Sequence, residues 1–177
     1  MLSKDGKYAL AEVAARRSVL LARLRTGEVL KNHAVALSQF ANCLRNLGKY
    51  YEAEGLYRQA LEMTRATIGE AHPSYAMRLN NLASVVQEQG RFEEAEGLFR
   101  QVLEIDRATI GEAHPDYATG HNNLASVVQV QRRFEEARPL FQQALVILQA
   151  RLPVDHPNIA AVKQSIASLP PPPTEQN

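Results

Sequence analysis

The chain repeats its own sequence at an interval of 42 residues, and this repeat limits what it can fold into. The segment NNLASVVQ stands at positions 80–87 and returns unchanged at 122–129. RFEEA occupies 91–95 and 133–137, and ATIGEAHP occupies 66–73 and 108–115. A period of this size is typical of proteins built from stacked units, because one unit alone is too small to bury its own apolar face. Function must therefore be sought on the surface that the units build together.

Composition narrows the classes of partner. The 177 residues carry a net charge of +1, which leaves no basic excess to hold a phosphate backbone. No apolar run is long enough to cross a bilayer, and the first residues lack the hydrophobic core of a signal peptide. The single cysteine, Cys43, excludes an internal disulfide and fits a reducing compartment. We expect a cytoplasmic protein with no nucleic-acid and no membrane partner.

Apolar periodicity and terminator residues predict an all-α chain of about eight helices. Thr26 and Gly27 close the first helix, and Gly48 and Gly69 follow the next two, as glycines do just past a helix end. Pro73, Pro115 and Pro157 stand in first turns, where a missing N–H costs nothing. The predicted helices cover 8–25, 33–47, 50–67, 74–89, 92–109, 116–131, 134–151 and 157–169. The prolines of 170–177 predict a disordered tail.

Each unit is predicted to be a hairpin of two helices, and the spacing of apolar residues identifies the buried faces. In the first helix of the middle copy this face consists of Leu79, Leu82, Ala83 and Val86. In the second helix it consists of Phe92, Ala95, Phe99, Val102 and Leu103. The small side chains of Ala53, Ala95 and Ala137 let paired helices approach closely.

The order of small, glycine and aromatic residues resembles the tetratricopeptide repeat, with the signature spacing at Ala83, Gly90, Phe92, Ala95, Phe99 and Val102. The period of 42 residues, longer than the usual roughly 34, is similar to the kinesin light chain type. The resemblance spans about 6–169 and implies a right-handed superhelical solenoid of antiparallel hairpins. Its parts are a half repeat at 6–30, full repeats at about 31–72, 73–114 and 115–156, and a capping helix at 157–169, all in one domain over 1–169.

The side of each first helix opposite to its apolar face carries mostly amides and hydroxyls, and we call these three sets of residues the amide rows. Asn disfavours helix by up to roughly 0.7 kcal/mol relative to Ala, so paired mid-helix asparagines need a reason. An amide offers donors and an acceptor, so a row of them can bond the main chain of an extended peptide. The predicted concave binding face consists of Ser38, Gln39, Asn42, Arg45, Met77, Asn80, Asn81, Ser84, Gln87, Thr119, Asn122, Asn123, Ser126 and Gln129. Val35, Asn46, Glu88 and Val130 complete the rows.

The resemblance also bears on what this face binds, because in similar repeats the asparagine at the position of Asn81 and Asn123 contacts bound peptide. The subtype that clamps a terminal carboxylate is disfavoured, since its lysine positions hold Ser38, Asn80 and Asn122. Arg45 is the one cation placed on the face and could select a modestly acidic ligand. The competing interpretation is a structural ladder in which the amides bond one another or neighbouring helices.

Other residue patterns do not predict chemistry. His72, His114 and His156 recur one per repeat, too far apart to share a metal ion, and are expected to bond locally at helix starts. His121 replaces a core leucine, and we expect a buried hydrogen bond to satisfy it. Cys43 aligns with two valines, and the Glu93–Glu94 and Glu135–Glu136 pairs complement helix dipoles. With no phosphate loop, nucleophile motif or metal spacing, we expect no enzyme activity, no cofactor and no metal site.

The two ends differ from the middle. Lys163 takes the place of Leu37 and Leu79, as expected for a solvated capping helix. Near the start, an extra apolar stripe at near-heptad spacing predicts either self-association as a homodimer or a fragment that has lost an upstream helix. The stripe consists of Leu10, Val13, Leu20 and Leu24. The alternative function is therefore a structural, oligomerising scaffold module.

Two substitutions within the repeat predict local strain. Arg132 replaces the glycine that ends the equivalent helices, and a side chain in that left-handed position costs on the order of 1 kcal/mol. Pro139 stands early in its helix, where we expect a mild bend and no break.

Overall fold

A computed structural model describes residues 27–171, and within that range the chain forms seven α-helices and no strand. They are α1 (Gly27–Asn46), α2 (Tyr50–Ile68), α3 (Pro73–Glu88), α4 (Phe92–Thr109), α5 (Pro115–Val130), α6 (Phe134–Arg151) and α7 (Pro157–Ala167). The prediction of an all-α chain is confirmed. The expected helix at 8–25, with Leu10, Val13, Leu20 and Leu24, lies outside the described residues, as does most of the tail.

Six of the seven helices begin and end within two residues of the predicted bounds. The exception is α1, which differs at its start. Its described part begins at Gly27, so the helix starts earlier than the predicted residue 33. Thr26 and the expected helix at 8–25 lie outside the described residues, so the closing of that helix by Gly27 stays a prediction.

The ends of α1, α3 and α5 share one backbone conformation. Gly48 and Gly90 have φ values of 75° and 78°, and Arg132 at the equivalent position has a φ of 62°. Arg132 thus keeps the left-handed conformation that glycine favours, at a cost on the order of 1 kcal/mol. The predicted strain at this turn is confirmed.

The chain divides into two compact units, Met1–Arg91 and Phe92–Asn177. In the first unit, α2 packs against both α1 and α3. In the second unit each helix packs against the next, so that α5 contacts α4 and α6, and α6 contacts α7. Helices adjacent in sequence are therefore neighbours within each unit, as in a stack of hairpins.

The predicted apolar faces form the cores. Leu79, Leu82, Ala83 and Val86 on α3 are at most 2% exposed, and the small residues Ala53, Ala95 and Ala137 are fully buried. Phe99 and Phe141 fill the second unit. Burying one such side chain contributes about 1.5–3 kcal/mol, and truncating Phe99 to alanine would cost about 3–5 kcal/mol. Phe92 and Leu103 are only half-buried, so the face of α4 is narrower than predicted.

Two further predictions concern single residues, Pro139 in α6 and Lys163 in α7. α6 runs unbroken through Pro139, as expected for a proline whose missing N–H falls in the first turns. Lys163 on α7 is exposed, as predicted for a capping helix. Among the helices of residues 27–171, none is both long enough and apolar enough to cross a membrane.

Candidate functional site

The helices α1 and α3, which carry two of the amide rows, are linked at two points in the first unit. At one end of the two helices, the Nε of Arg45 on α1 donates to both carboxylate oxygens of Glu88 on α3, at 2.9 and 3.0 Å. At the other end, Lys31 and Val35 of α1 line one depression together with Ser74 and Arg78 of α3. The two helices therefore meet at the Arg45–Glu88 pair and at this depression.

The Arg45–Glu88 ion pair changes the role expected for Arg45. Both side chains are about one-third exposed, at 34% and 31%, and Arg45 Nη2 lies 2.9 Å from Glu88 Oε1. A second carboxylate would have to compete with Glu88 for the guanidinium. Arg45 thus links the two rows, and its selection of an acidic ligand stays a prediction.

The remaining residues of the α1 row are placed unequally. Gln39 is exposed, whereas Ser38 is only 6% exposed and donates to the carbonyl of Ala34 at 2.9 Å. The Oδ1 of Asn42 accepts a hydrogen bond from the hydroxyl of the buried Tyr57 on α2. Burial raises the pKa of Tyr57, so this hydroxyl stays protonated and a donor. Ser38 thus belongs to the interior, and Asn42 positions its amide with help from α2.

The α3 row is the more open of the two. Met77 is 54% exposed, and Asn80, Asn81, Ser84 and Gln87 are all partly exposed. The hydroxyl of Ser84 donates to the carbonyl of Asn80 in its own helix, at 2.9 Å. Together with Val35 of α1, which is 43% exposed, Met77 adds apolar area to an otherwise polar face.

The α5 row of the second unit has the same character. Asn122, Asn123, Ser126 and Gln129 are partly exposed, and Thr119 is exposed. The hydroxyls of Thr119 and Ser126 donate to carbonyls of their own helix, those of Pro115 and Asn122. The amide of Gln129 donates to the hydroxyl of Ser168 at 3.1 Å. Asn123 makes a further interaction of its own, so Asn122 is the asparagine of this row whose side chain is less committed.

The opposite side of α5 carries a second depression, with a volume of about 580 Å³. Tyr117, His121 and Leu124 form its α5 wall, about half a helical turn away from Asn123. Nearby, a methyl group on Gly120 would come within 2.9 Å of Leu103 Cδ2, so this glycine allows α5 to approach α4 closely.

His121 is buried in the core without a hydrogen bond, contrary to expectation. It is 6% exposed, and neither ring nitrogen has a partner in the described part of the chain. Its ring meets that of Tyr117 edge to face, with centroids 4.7 Å apart. Burial lowers the pKa of His121, so the neutral form is favoured. His33 on α1 shares this unpartnered burial.

The three recurring histidines act at helix starts, as predicted. The Nδ1 atoms of His72, His114 and His156 accept hydrogen bonds from the N–H groups of Ser74, Asp116 and Asn158, at 3.0, 3.1 and 3.2 Å. Each ring thus caps the helix that begins with the following proline. Within residues 27–171 no group of three or more His, Cys, Asp or Glu side chains is arranged to hold a metal ion.

Two nearly buried carboxylates tie neighbouring helices together, and the sequence pattern did not single them out. Glu96 on α4 accepts hydrogen bonds from Arg100, Gln131 and Arg133, at 2.7, 2.9 and 2.6 Å. Burial by itself raises the pKa of Glu96, but these donors outweigh it and bring the pKa to about 2. Glu54, one period earlier, accepts from Arg58, Gln89 and Arg91 in the same way.

The signal for these networks is present in the repeat. A glutamate four residues before an arginine, and a glutamine two residues before an arginine, both recur at the 42-residue offset. The next copy has Arg138 instead of the glutamate, and Arg138 donates to the carbonyl of Pro170. The carboxylate is thus replaced at the last hairpin, where no further repeat follows within the described residues.

Comparison with known proteins identifies the class. Two tetratricopeptide repeat models match residues 32–108 and 122–158, which together make up well over half of the chain. The chain therefore belongs to the tetratricopeptide repeat family, whose members are in general protein–protein interaction modules. No curated protein matches the sequence.

Solved structures show the same fold at low identity. BtubC (BKLC) from P. vanneervenii is 23% identical with a TM-score of 0.77, over 94% of this chain and 65% of that structure's length. Kinesin light chain TPR-like repeats of Podosopora anserina are 23% identical with a TM-score of 0.67, over 94% and 86% of the two chains. The N-terminal domain of stress-induced protein-1 (STI-1) from C. elegans is 20% identical with a TM-score of 0.56, over 76% and 95%. These similarities confirm the TPR-like repeat fold.

Proposed function

We propose that the chain is a non-catalytic adaptor that binds an extended peptide segment of another protein along its amide rows. The observation that supports this proposal is the Arg45–Glu88 ion pair, which links the α1 row to the α3 row in the first unit. The α3 row carries partly exposed amides at Asn80 and Asn81, and Val35 and Met77 are exposed apolar side chains of the two rows. Amides can bond a peptide main chain, and apolar side chains can accept alternate side chains of the peptide.

The energetics of the helix support a role for the asparagines in binding. Four mid-helix asparagines together sacrifice up to roughly 0.7 kcal/mol each relative to alanine. Asn80 and Asn123 make further interactions of their own, which is what the structural-ladder interpretation expects. Asn81 and Asn122 are the pair for which a ligand offers the clearer compensation.

The alternative proposal is an oligomerising scaffold whose rows remain empty. It depends on the apolar stripe at Leu10, Val13, Leu20 and Leu24, which the repeat period does not require. Under either proposal the protein acts without a cofactor, and its cytoplasmic location stays a prediction.

One double substitution separates the two proposals. Peptides selected from a random display library against the full chain would be measured by calorimetry against wild type and against Asn81→Ala/Asn122→Ala. We expect affinity to fall by about 5- to 150-fold, since two hydrogen bonds of about 0.5–1.5 kcal/mol each are lost. Oligomeric state should stay unchanged.

The matched control is Gln59→Ala/Gln101→Ala. These two exposed amides are likewise taken from successive repeats, but they lie on the second helices α2 and α4. The control should bind like wild type. Failure to select any peptide, or equal losses in both double variants, would overturn the adaptor proposal.

A further inference from the structure

A small depression in the first unit is lined by basic and hydroxyl side chains. It lies between the start of α1, the end of α2 and the start of α3, and has a volume of about 230 Å³. The residues that matter chemically are Lys31, Asn32, Thr67, His72, Ser74 and Arg78. Among the described residues, none of the side chains lining it is acidic.

Arg78 is a buried cation that lines this site, and no carboxylate of the described residues lies against it. Its side chain is only 5% exposed, and its hydrogen bond from Nε goes to the hydroxyl of Thr64, a neutral group. Thr64 is itself buried and donates to the carbonyl of Ala60 at 2.7 Å. Within residues 27–171 no carboxylate pairs with Arg78. Burial lowers the pKa of this guanidinium, as expected for a desolvated charge.

An uncompensated buried charge costs several kcal/mol, so its presence calls for a partner. A guanidinium has five N–H donors in a planar fork that matches carboxylate and phosphate groups. Only the Nε donor of Arg78 is engaged by a described residue. The terminal nitrogens are therefore available to an anion that enters the depression.

Two further features add positive potential. Lys31 at the rim is exposed and forms no ion pair within the described residues. The site also adjoins the first turn of α3, whose dipole places partial positive charge there. An anion would thus meet a guanidinium, an ammonium group and a helix N-terminus.

The equivalent positions one period later have the opposite character. Thr64, Ser74 and Arg78 become Asp106, Asp116 and Gly120. Asp106 is 5% exposed, and burial together with the charge of Asp116 raises its pKa to about 6. The cationic site is therefore a property of the first unit and not a general feature of the repeat.

We propose that this depression is an oxyanion site that binds a carboxylate or phosphate group. Its volume lies below the roughly 300–1,000 Å³ of pockets for drug-sized ligands, so it suits a single acidic group. Lys31 and Val35 stand one helical turn apart on α1, so the site continues the α1 row. If the adaptor proposal holds, the anion is an acidic or phosphorylated side chain of the bound peptide. The site itself does not depend on that proposal.

The test uses small anions and the full chain. Sodium phosphate and sodium acetate would be titrated separately at constant ionic strength, with binding followed by amide chemical shifts. We expect saturable changes in wild type and at least about tenfold weaker binding in Arg78→Met, which keeps an apolar stem but removes the charge. Lys31→Gln should weaken binding by up to about fivefold, since its ammonium is exposed. The control, Arg65→Met, removes an exposed arginine of α2 that pairs with Glu62 and Glu70.

Each outcome has a defined meaning. Binding of acetate alone assigns the site to carboxylates, binding of phosphate alone assigns it to phosphorylated groups, and binding of both shows that it accepts either. If Arg78→Met does not fold, Lys31→Gln still decides, because its side chain is exposed. No saturable binding of either anion to wild type, or equal binding by wild type and the folded variants, would overturn the proposal. Loss of peptide binding in the asparagine variant with normal anion binding would leave the oxyanion site standing.

Discussion

At the scale of single residues, the positions where one repeat departs from the others place ionisable groups in the core. His121 stands where the previous copy has Leu79, which is 2% exposed. The imidazole has two buried nitrogens without a described partner, and each such group costs about 1–3 kcal/mol. The repeat itself therefore suggests which substitution should stabilise the protein.

We predict that His121→Leu raises the free energy of unfolding by about 1–3 kcal/mol at pH 8. The gain should grow as the pH falls. Burial lowers the pKa of His121 in the folded protein below 6.5, so the unfolded chain takes up a proton first as the pH falls. Wild type therefore loses stability below about pH 6.5, whereas the leucine variant does not. Urea denaturation at pH 8 and pH 5.5 would measure both effects. A variant less stable than wild type at both pH values would show that the histidine has a partner or a packing role.

Asp106 should show the opposite pH dependence. Its pKa is raised to about 6, first by burial and then by Asp116, so its contribution to stability is present below about 3.8 and is lost as the pH rises through about 6. We predict that Asp106→Asn stabilises the chain by about 2 kcal/mol at pH 7.5, and that the gain closes towards pH 4. Glu104→Gln on the exposed side of α4 is the control and should change little. A gain independent of pH would argue against a buried charge.

At the scale of helices, the repeat predicts the bounds and buried faces of the helices well, but it predicts poorly which side chains pair between helices. Periodicity and the terminators Gly48 and Gly90 define helix faces and ends, because these depend on neighbours three or four residues away. The Arg45–Glu88 pair joins residues 43 apart, and long side chains leave several partners open to each. The sequence pattern can place Arg45 on a helix face, but it cannot show that Arg45 forms an ion pair with Glu88. Ser38 was misplaced for a related reason, since a small hydroxyl can bond its own helix and remain inside.

The Glu96 network is the clearest interaction between helices that the sequence period could have revealed. It joins α4 to the turn between α5 and α6, and its carboxylate side chain is 12% exposed. We predict that Glu96→Gln lowers the free energy of unfolding by about 1–2 kcal/mol at pH 7, because charge-assisted hydrogen bonds are lost. Since the folded pKa is about 2 against 4.5 unfolded, this stability is present above pH 4.5 and disappears as the pH falls towards 2.

The comparison for Glu96 is Glu93→Gln, which removes an exposed carboxylate from the first turn of the same helix. It should cost no more than the few tenths of a kcal/mol typical of a helix-dipole interaction. Urea denaturation of both variants between pH 3 and pH 7 distinguishes them. Equal losses at pH 7 would mean that the network adds nothing beyond helix electrostatics.

At the scale of the whole molecule, the open question is whether the protein meets a different partner or another copy of itself. In a helix over 8–25, Leu20 and Leu24 fall on the apolar stripe, whereas Ser18 and Ala22 fall on the opposite side. We predict that wild type forms dimers in sedimentation velocity and that Leu20→Glu/Leu24→Glu is monomeric, because carboxylates in an apolar interface are desolvated without a partner. The matched variant Ser18→Glu/Ala22→Glu adds the same charge and should remain dimeric. A monomeric wild type at every concentration would remove the scaffold alternative. A monomeric Leu20/Leu24 variant that still binds selected peptides would show that self-association and peptide binding use separate surfaces.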